Sequence, residues 1–148
     1  MTMLFLVFAL LLLLAPLSTQ AAPLYSAQVI TVLGPCSKTE PNRATSWTNT
    51  TQHTLYIKQA DMWMGMTKGA LADMYGNLYR MSDWSFVIGM GWDHYKDPVA
   101  PVHQLMNFAP DSMVLAPGDS LYLISGCVPF KSRINYLHTV TVWWSMEE

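Results

Sequence analysis

The stretch "HTLYIKQADMWMGM", residues 53–66, decides how this chain folds. Its first half alternates: Leu55 and Ile57 share one face of an extended strand, Tyr56 and Lys58 the other. Its second half alternates as well, with Met62, Met64 and Met66 together and Trp63 and Gly65 opposite. The two alternations are out of step. Carrying the register of Leu55 and Ile57 onward turns Gln59 and Asp61 toward the core, and an unpaired carboxylate is costly to bury. The pairing must therefore shift between Gln59 and Met62, by a bulge or a turn. One inserted residue makes the Met face the core face and leaves Trp63 pointing outward or under a loop.

The same period of two recurs along the chain. "SAQVITVL" (26–33) is rich in β-branched residues and stops at Gly34-Pro35, and "PCSKTEPNRA" (35–44) reads as a polar loop. "DMYGNLYRM" (73–81) reads as a strand, or as a hairpin turning at Gly76-Asn77. "WSFVIGMGW" (84–92) sets Phe86, Ile88, Met90 and Trp92 on one face, with Phe86, Ile88 and Trp92 predicted buried. Its other face, with Gly89 and Gly91, is small enough for a ring from elsewhere to lie across. "HQLMNF" (103–108) and "SMVL" (112–115) are short strands around Pro110, and "APGDS" (116–120) is a tight turn with Gly at positive φ. "LYLISGC" (121–127) and "LHTVTVWW" (137–144) complete about eight strands, while only "TKGALADM" (67–74) has room for a helical turn. Turn signals every ten or so residues predict a single-domain antiparallel β-sandwich of jelly-roll or Greek-key type, with a closed barrel second.

Residues 4–14, "LFLVFALLLLL", followed by "APLSTQAAP", have the form of a secretory signal, although "MTM" supplies no Lys or Arg. Cleavage after Ala21 puts Thr19 and Ala21 at the small-residue positions; cleavage after Ala22 is less suitable. The rival, a retained anchor, falls short of the ~20 apolar residues a span needs. The signal peptide is therefore 1–21 and the β-sandwich domain 22–148, leaving 127 of the 148 residues in a secreted, extracellular or periplasmic protein. Ten acidic against eight basic residues, with no basic cluster, give no field for nucleic acid, and none for a membrane surface once the leader is gone. In an exported chain the two cysteines, Cys36 and Cys127, are most simply a disulfide; the alternative makes Cys127 a metal thiolate.

No Gly-x-Ser-x-Gly elbow, His-Glu-x-x-His helix or phosphate-binding glycine loop is present. Glutamate occurs only at Glu40, Glu147 and Glu148, and Asp93 beside His94 in a strand points to the opposite face. The chain reads as a non-enzyme without a cofactor. The alternative is copper. His53 followed by Trp63, Met64 and Met66 resembles the His, Trp and Met set of small periplasmic Cu(I) carriers over about a dozen residues, implying a site at His53, Met64 and Met66. The order His53, Cys127, His138, Met146 resembles that of cupredoxins, also exported β-sandwiches. The spacing departs there: a strand opened by His138 places Met146 over ~20 Å away, out of reach of one ion. Met residues at 74, 81, 90, 106 and 113 instead make methionine a general filler among six Trp and seven Tyr.

A binding or assembly module remains, recognising a carbohydrate or protein partner through aromatic-rich loops and an edge. Trp92, His94 and Tyr95 lead into the loop "KDPVAP" (96–101). Trp143 and Trp144 point to opposite faces of the last strand, so at most one of them faces the core. "NTT" (49–51) makes Asn49 an N-glycosylation acceptor if the source is a eukaryote.

Overall fold

The computed structural model describes residues 25–37, 42–66, 72–93, 102–129 and 134–146. The proposed leader, residues 67–71, His94, Tyr95 and the 96–101 loop, together with the side chains of Cys36, Met66 and Trp92, lie outside the described residues.

Nine strands are formed among the described residues: β1 (Ser26–Cys36), β2 (Asn42–Thr48), β3 (Leu55–Met66), β4 (Ala72–Arg80), β5 (Ser85–Trp92), β6 (Val102–Asn107), β7 (Val114–Leu115), β8 (Ser120–Pro129) and β9 (Ile134–Ser145). One sheet has the order β1-β9-β3-β6, with β7 also on β3; the other is β2-β8-β4-β5. All pairings are antiparallel. β6 and β7 lie end to end along one side of β3, at Gln59–Met64 and Leu55–Tyr56, and together fill one strand's place. Consecutive strands cross between the sheets except at β4–β5 and β6–β7, and β8 and β9 insert between earlier strands. That strand order is a jelly roll, two nested Greek keys around one core.

The shift demanded within residues 53–66 is present. Pairing of β3 with β9 slips between Ile57 and Gln59, which makes Lys58 the inserted residue. Leu55 and Ile57 are buried before the bulge and Ala60, Met62 and Met64 after it. Trp63 is 45% exposed, as the register requires. The shift falls one step earlier than the expected interval, because Gln59 already has the outward parity and bonds Asn107 across the edge at 2.7 Å. The buried methionines pack with Leu78, Ile88, Leu121, Leu123, Val140 and Val142, so here they fill the core. Trp144 turns inward and packs on Trp47, ring centroids 5.0 Å apart.

Residues 73–80 form one strand through Gly76-Asn77, the first of the two readings of that stretch. Two expectations need correction, one at residues 42–44 and one in the faces of β5. Residues 42–44, read as the end of the 35–44 loop, instead open the edge strand β2; its alternation is carried by Arg43, Thr45 and Trp47, which do not read as an apolar face. Phe86 is 57% exposed, because a bulge at Val87 reverses the face of β5: Leu78 pairs with Ile88 but Tyr79 with Phe86. Val87 and Ile88 are consequently both buried. The ring close to Gly89 belongs to Phe86 itself, 2.9 Å from where a Cβ would stand. The 116–120 turn forms as read, with Gly118 at φ 82°.

Candidate functional site

Antiparallel register fixes what the outer face of the β1-β9-β3-β6 sheet presents. Its rows are Leu33-Leu137-Gly65, Thr31-Thr139-Trp63-His103, Val29-Thr141-Asp61-Leu105 and Ala27-Trp143-Gln59-Asn107. The only carboxylate in these rows, Asp61, contacts Nε2 of His103. The His103 ring also stacks on Trp63, centroids 4.3 Å apart and 24° from parallel. Apart from the amides Gln59 and Asn107 in the last row, the face is otherwise aliphatic, threonine-rich and aromatic.

At the last row Trp143, Gln59, Asn107, Lys58 and Tyr25 line an open cavity of about 300 Å³. Gln59 Nε2 donates to Asn107 Oδ1, which ties the two amides into a polar wall beside the indole. Lys58, the bulge residue, stands over the Tyr56 ring at 5.5 Å, which holds its ammonium near the rim. An indole flanked by amide donors and acceptors suits a ring that is apolar on its face and hydroxylated at its edge.

A second aromatic group lies on the outer face of the other sheet. Phe86 and Tyr79 meet edge to face at 6.0 Å, and Trp84 sits 6.5 Å from Tyr79 and 5.8 Å from Tyr122. Trp84 takes φ 56°, a left-handed conformation that costs a bulky residue energy and is found enriched at functional positions. The turn is held by the ion pair of Arg80 with Asp83 and by Ser85 N–H donating to Asp83 Oδ1 at 3.0 Å. Bonding to Arg80 foremost, then to Ser85, keeps the Asp83 carboxyl far below the ordinary carboxylate range.

The third feature is internal. His138 is fully buried on β9, and neither ring nitrogen has a hydrogen-bond partner. Its neighbours in the sheet are Val32 and Met64. Its imidazole fills the space over Gly76, where a Cβ would lie 1.7 Å from Cε1. That close approach is why position 76 is glycine. Desolvation pushes the His138 pKa down to about 4. Nearby, Tyr136 donates to Ser125 O at 3.5 Å, and burial raises its pKa.

Of the residues singled out in the sequence, Trp143 lines the cavity, while the backbone of Trp92 ends β5. His53 is exposed just before β3, and Met64 is buried near that strand's far end. Strand rise separates them by more than about 25 Å. The copper set of His53, Met64 and Met66 is thereby corrected, since His53 cannot share an ion with Met64. The cupredoxin order fails similarly, because Tyr56 pairs with Ser145 and so puts His53 at the opposite end of β9 from His138. Among the described residues no three His, Cys, Asp or Glu side chains converge on a metal position.

Asn49 is corrected as well. It is 1% exposed, and its Nδ2 donates to His53 O at 2.9 Å and Leu115 O at 3.0 Å. Its Oδ1 accepts from Thr51 N–H and Thr51 Oγ1. Both amide hydrogens are occupied, so the folded side chain has no room for a glycan. The sequon here encodes a loop clamp. His103, the Gln59–Asn107 wall and the rings at Tyr79, Trp84, Phe86 and Tyr122 escaped the sequence reading. Each group joins residues from different strands, and the nearest local signal was the shift at Lys58.

No family model matches the chain, and no curated protein sequence matches it. Solved structures match the chain at low identity, with TM-scores below 0.5. The decameric BFDV capsid protein is 11% identical, with 86% of this chain and 100% of that one covered at a TM-score of 0.49. FLHE is 11% identical over 82% of this chain and 97% of its own, with a TM-score of 0.43. The Yersinia pseudotuberculosis-derived mitogen is 12% identical over 86% and 90%, with a TM-score of 0.40. The class of the fold rests on the strand order given above.

Proposed function

We propose that this jelly roll is an exported, non-catalytic recognition or assembly module, without a cofactor, acting outside the cell or in the periplasm. Its partner is a carbohydrate or a protein; neither nucleic acid nor, after removal of the leader, a membrane surface is involved. Cys36 and Cys127 form its disulfide. The end of β1 leads within six residues to Asn42, which pairs with Gly126 beside Cys127, and buried Cys127 is not a free thiol.

The observation that carries the reading is the Trp143 cavity with its Gln59–Asn107 wall, which fits a neutral sugar ring stacked on the indole. A glycan array probed with the mature protein tests it. Binding should be lost in Trp143→Ala, with the melting temperature close to wild type because that ring lies outside the core. Binding that survives Trp143→Ala but is lost in Trp84→Ala moves recognition to the tilted rings of the other sheet, a shape better suited to a protein partner. No glycan binding by the wild-type protein rejects the carbohydrate reading.

One observation favours copper as a second reading. His138 and Met64 are cross-strand neighbours facing the core, an imidazole and a thioether of the kind Cu(I) takes. Competition against a Cu(I) chelator decides it: one-to-one binding lost in both His138→Leu and Met64→Leu supports copper, and absence of binding removes it.

A further inference from the structure

Edge strands of soluble sandwiches are kept from pairing with other chains by shortness, charge, bulges or proline. Three of the edges here follow that rule. β2 carries Arg43, β5 is bulged at Val87, and the edge opposite β1 is split between six-residue β6 and two-residue β7. β1 follows it only at its end, where Pro35 stands. Its eleven residues, SAQVITVLGPC, include no charged side chain, and all eleven pair with β9 without a register shift. Among the described residues its other side pairs with nothing.

Alternation identifies which backbone groups point away from β9. Pro35 has no N–H, and its carbonyl accepts from Arg43 Nε at 3.0 Å, across the gap to the other sheet. Val29 C=O accepts from the side chain of Gln28 at 2.8 Å rather than from a strand. Odd-numbered residues thus turn their N–H and C=O groups to the open edge, and even-numbered ones bond β9. Val29, Thr31 and Leu33 therefore present a ready ladder, and the side chains of Val29 and Leu33 are 54% and 64% exposed.

We propose that β1 is a docking strand for a second copy of this chain, pairing antiparallel with the partner's β1 about a twofold axis at Thr31. That register is self-consistent. Thr31 opposes its own copy, and Val29 opposes Leu33 on either side, matching threonine with threonine and aliphatic with aliphatic. All three turn their backbone groups to the edge, so each pair exchanges both backbone bonds once the exposed Gln28 side chain swings off the Val29 carbonyl. The ladder stops at Pro35, whose carbonyl Arg43 already holds. Neutrality favours a copy over a charged peptide, and an isologous pair closes at two, joining the β1-β9-β3-β6 sheets of both copies into one. This pairing uses the edge and not the Trp143 cavity, so it stands or falls separately from carbohydrate binding.

The test is sedimentation velocity of the mature protein over a concentration series, with hydrogen exchange at the β1 amides. Wild type should dimerise, and the Thr31 amide should become protected as concentration rises. Thr31→Pro deletes an edge-facing N–H while sparing the ladder to β9, so it should give a folded monomer with an unchanged far-ultraviolet spectrum. Val29→Lys puts a charge on the exposed face and should also be monomeric; it serves if the proline variant fails to fold. A wild-type protein monomeric throughout the series overturns the proposal. So does a dimer that persists in Val29→Lys, or one whose Thr31 exchange ignores concentration.

Discussion

Protonation of His138 would place a cation where no acceptor waits for it. Its surroundings are Val32 from β1, Met64 from β3, Tyr136 and Val140 from β9, and Gly76 of β4 with Ser125 beside it on β8. None is a carboxylate. The imidazole therefore stays neutral in the fold down to about pH 4, whereas an unfolded chain takes up the proton near pH 6.5. Above that upper value the difference contributes nothing. Between the two values the unfolded state binds the proton that the folded state refuses, so stability falls with pH, by about 3 kcal/mol in all. Urea midpoints across this range should decline in wild type and flatten in His138→Met. Equal slopes in the two would show that the ring is solvated. Gly76, which read as a possible turn in the sequence, is the socket for this ring. Only the distant partner explains it, and no local pattern carries that information.

At the scale of elements, β3 shows what a local pattern does carry. Leu55 and Ile57 against Met62 and Met64 demand one extra residue between them, and Lys58 is that residue. Its side chain is dispensable but its backbone is not. Lys58→Ala should leave the denaturation midpoint within about 0.5 kcal/mol of wild type. Deleting Lys58 should unfold the chain, because every residue from Ala60 to Met64 would then present its other face. Trp63 would enter the core and Met62 and Met64 would leave it. A cooperative, wild-type-like melt for the deletion variant would disprove the bulge. The reading failed where burial was not apolar or where the bulge left no trace. In β2 the inward residues are Arg43 and Thr45, polar side chains at an edge. In β5, "SFVIGM" alternates acceptably in either register, so the bulge at Val87 and the exposure of Phe86 could not be derived.

Over the whole molecule, sandwich class was legible because period-two segments and turn signals are local. The insertion of β9 between β1 and β3 was not, since any apolar strand face matches another equally well. The candidate site shares that blindness: Trp143 was visible as one of an adjacent pair, but Gln59 and Asn107 lie beside it only through register. The cysteines bear on the same topology. In the jelly roll, β1 and β8 belong to opposite sheets, and a bond from Cys36 to Cys127 fastens one sheet to the other at the end where β2 begins. The closed loop is about 90 residues long, which by chain entropy restricts the unfolded state by about 4–5 kcal/mol, less if the unfolded chain keeps structure. A thiol count on the denatured protein without reductant should find none, and one with reductant should find two. Reduction should lower the urea midpoint yet leave the β-rich far-ultraviolet spectrum intact, because the strand ladders and the Met-filled core do not depend on the bond. Two free thiols before reduction would remove the cross-link and leave the sheets held together by the core alone.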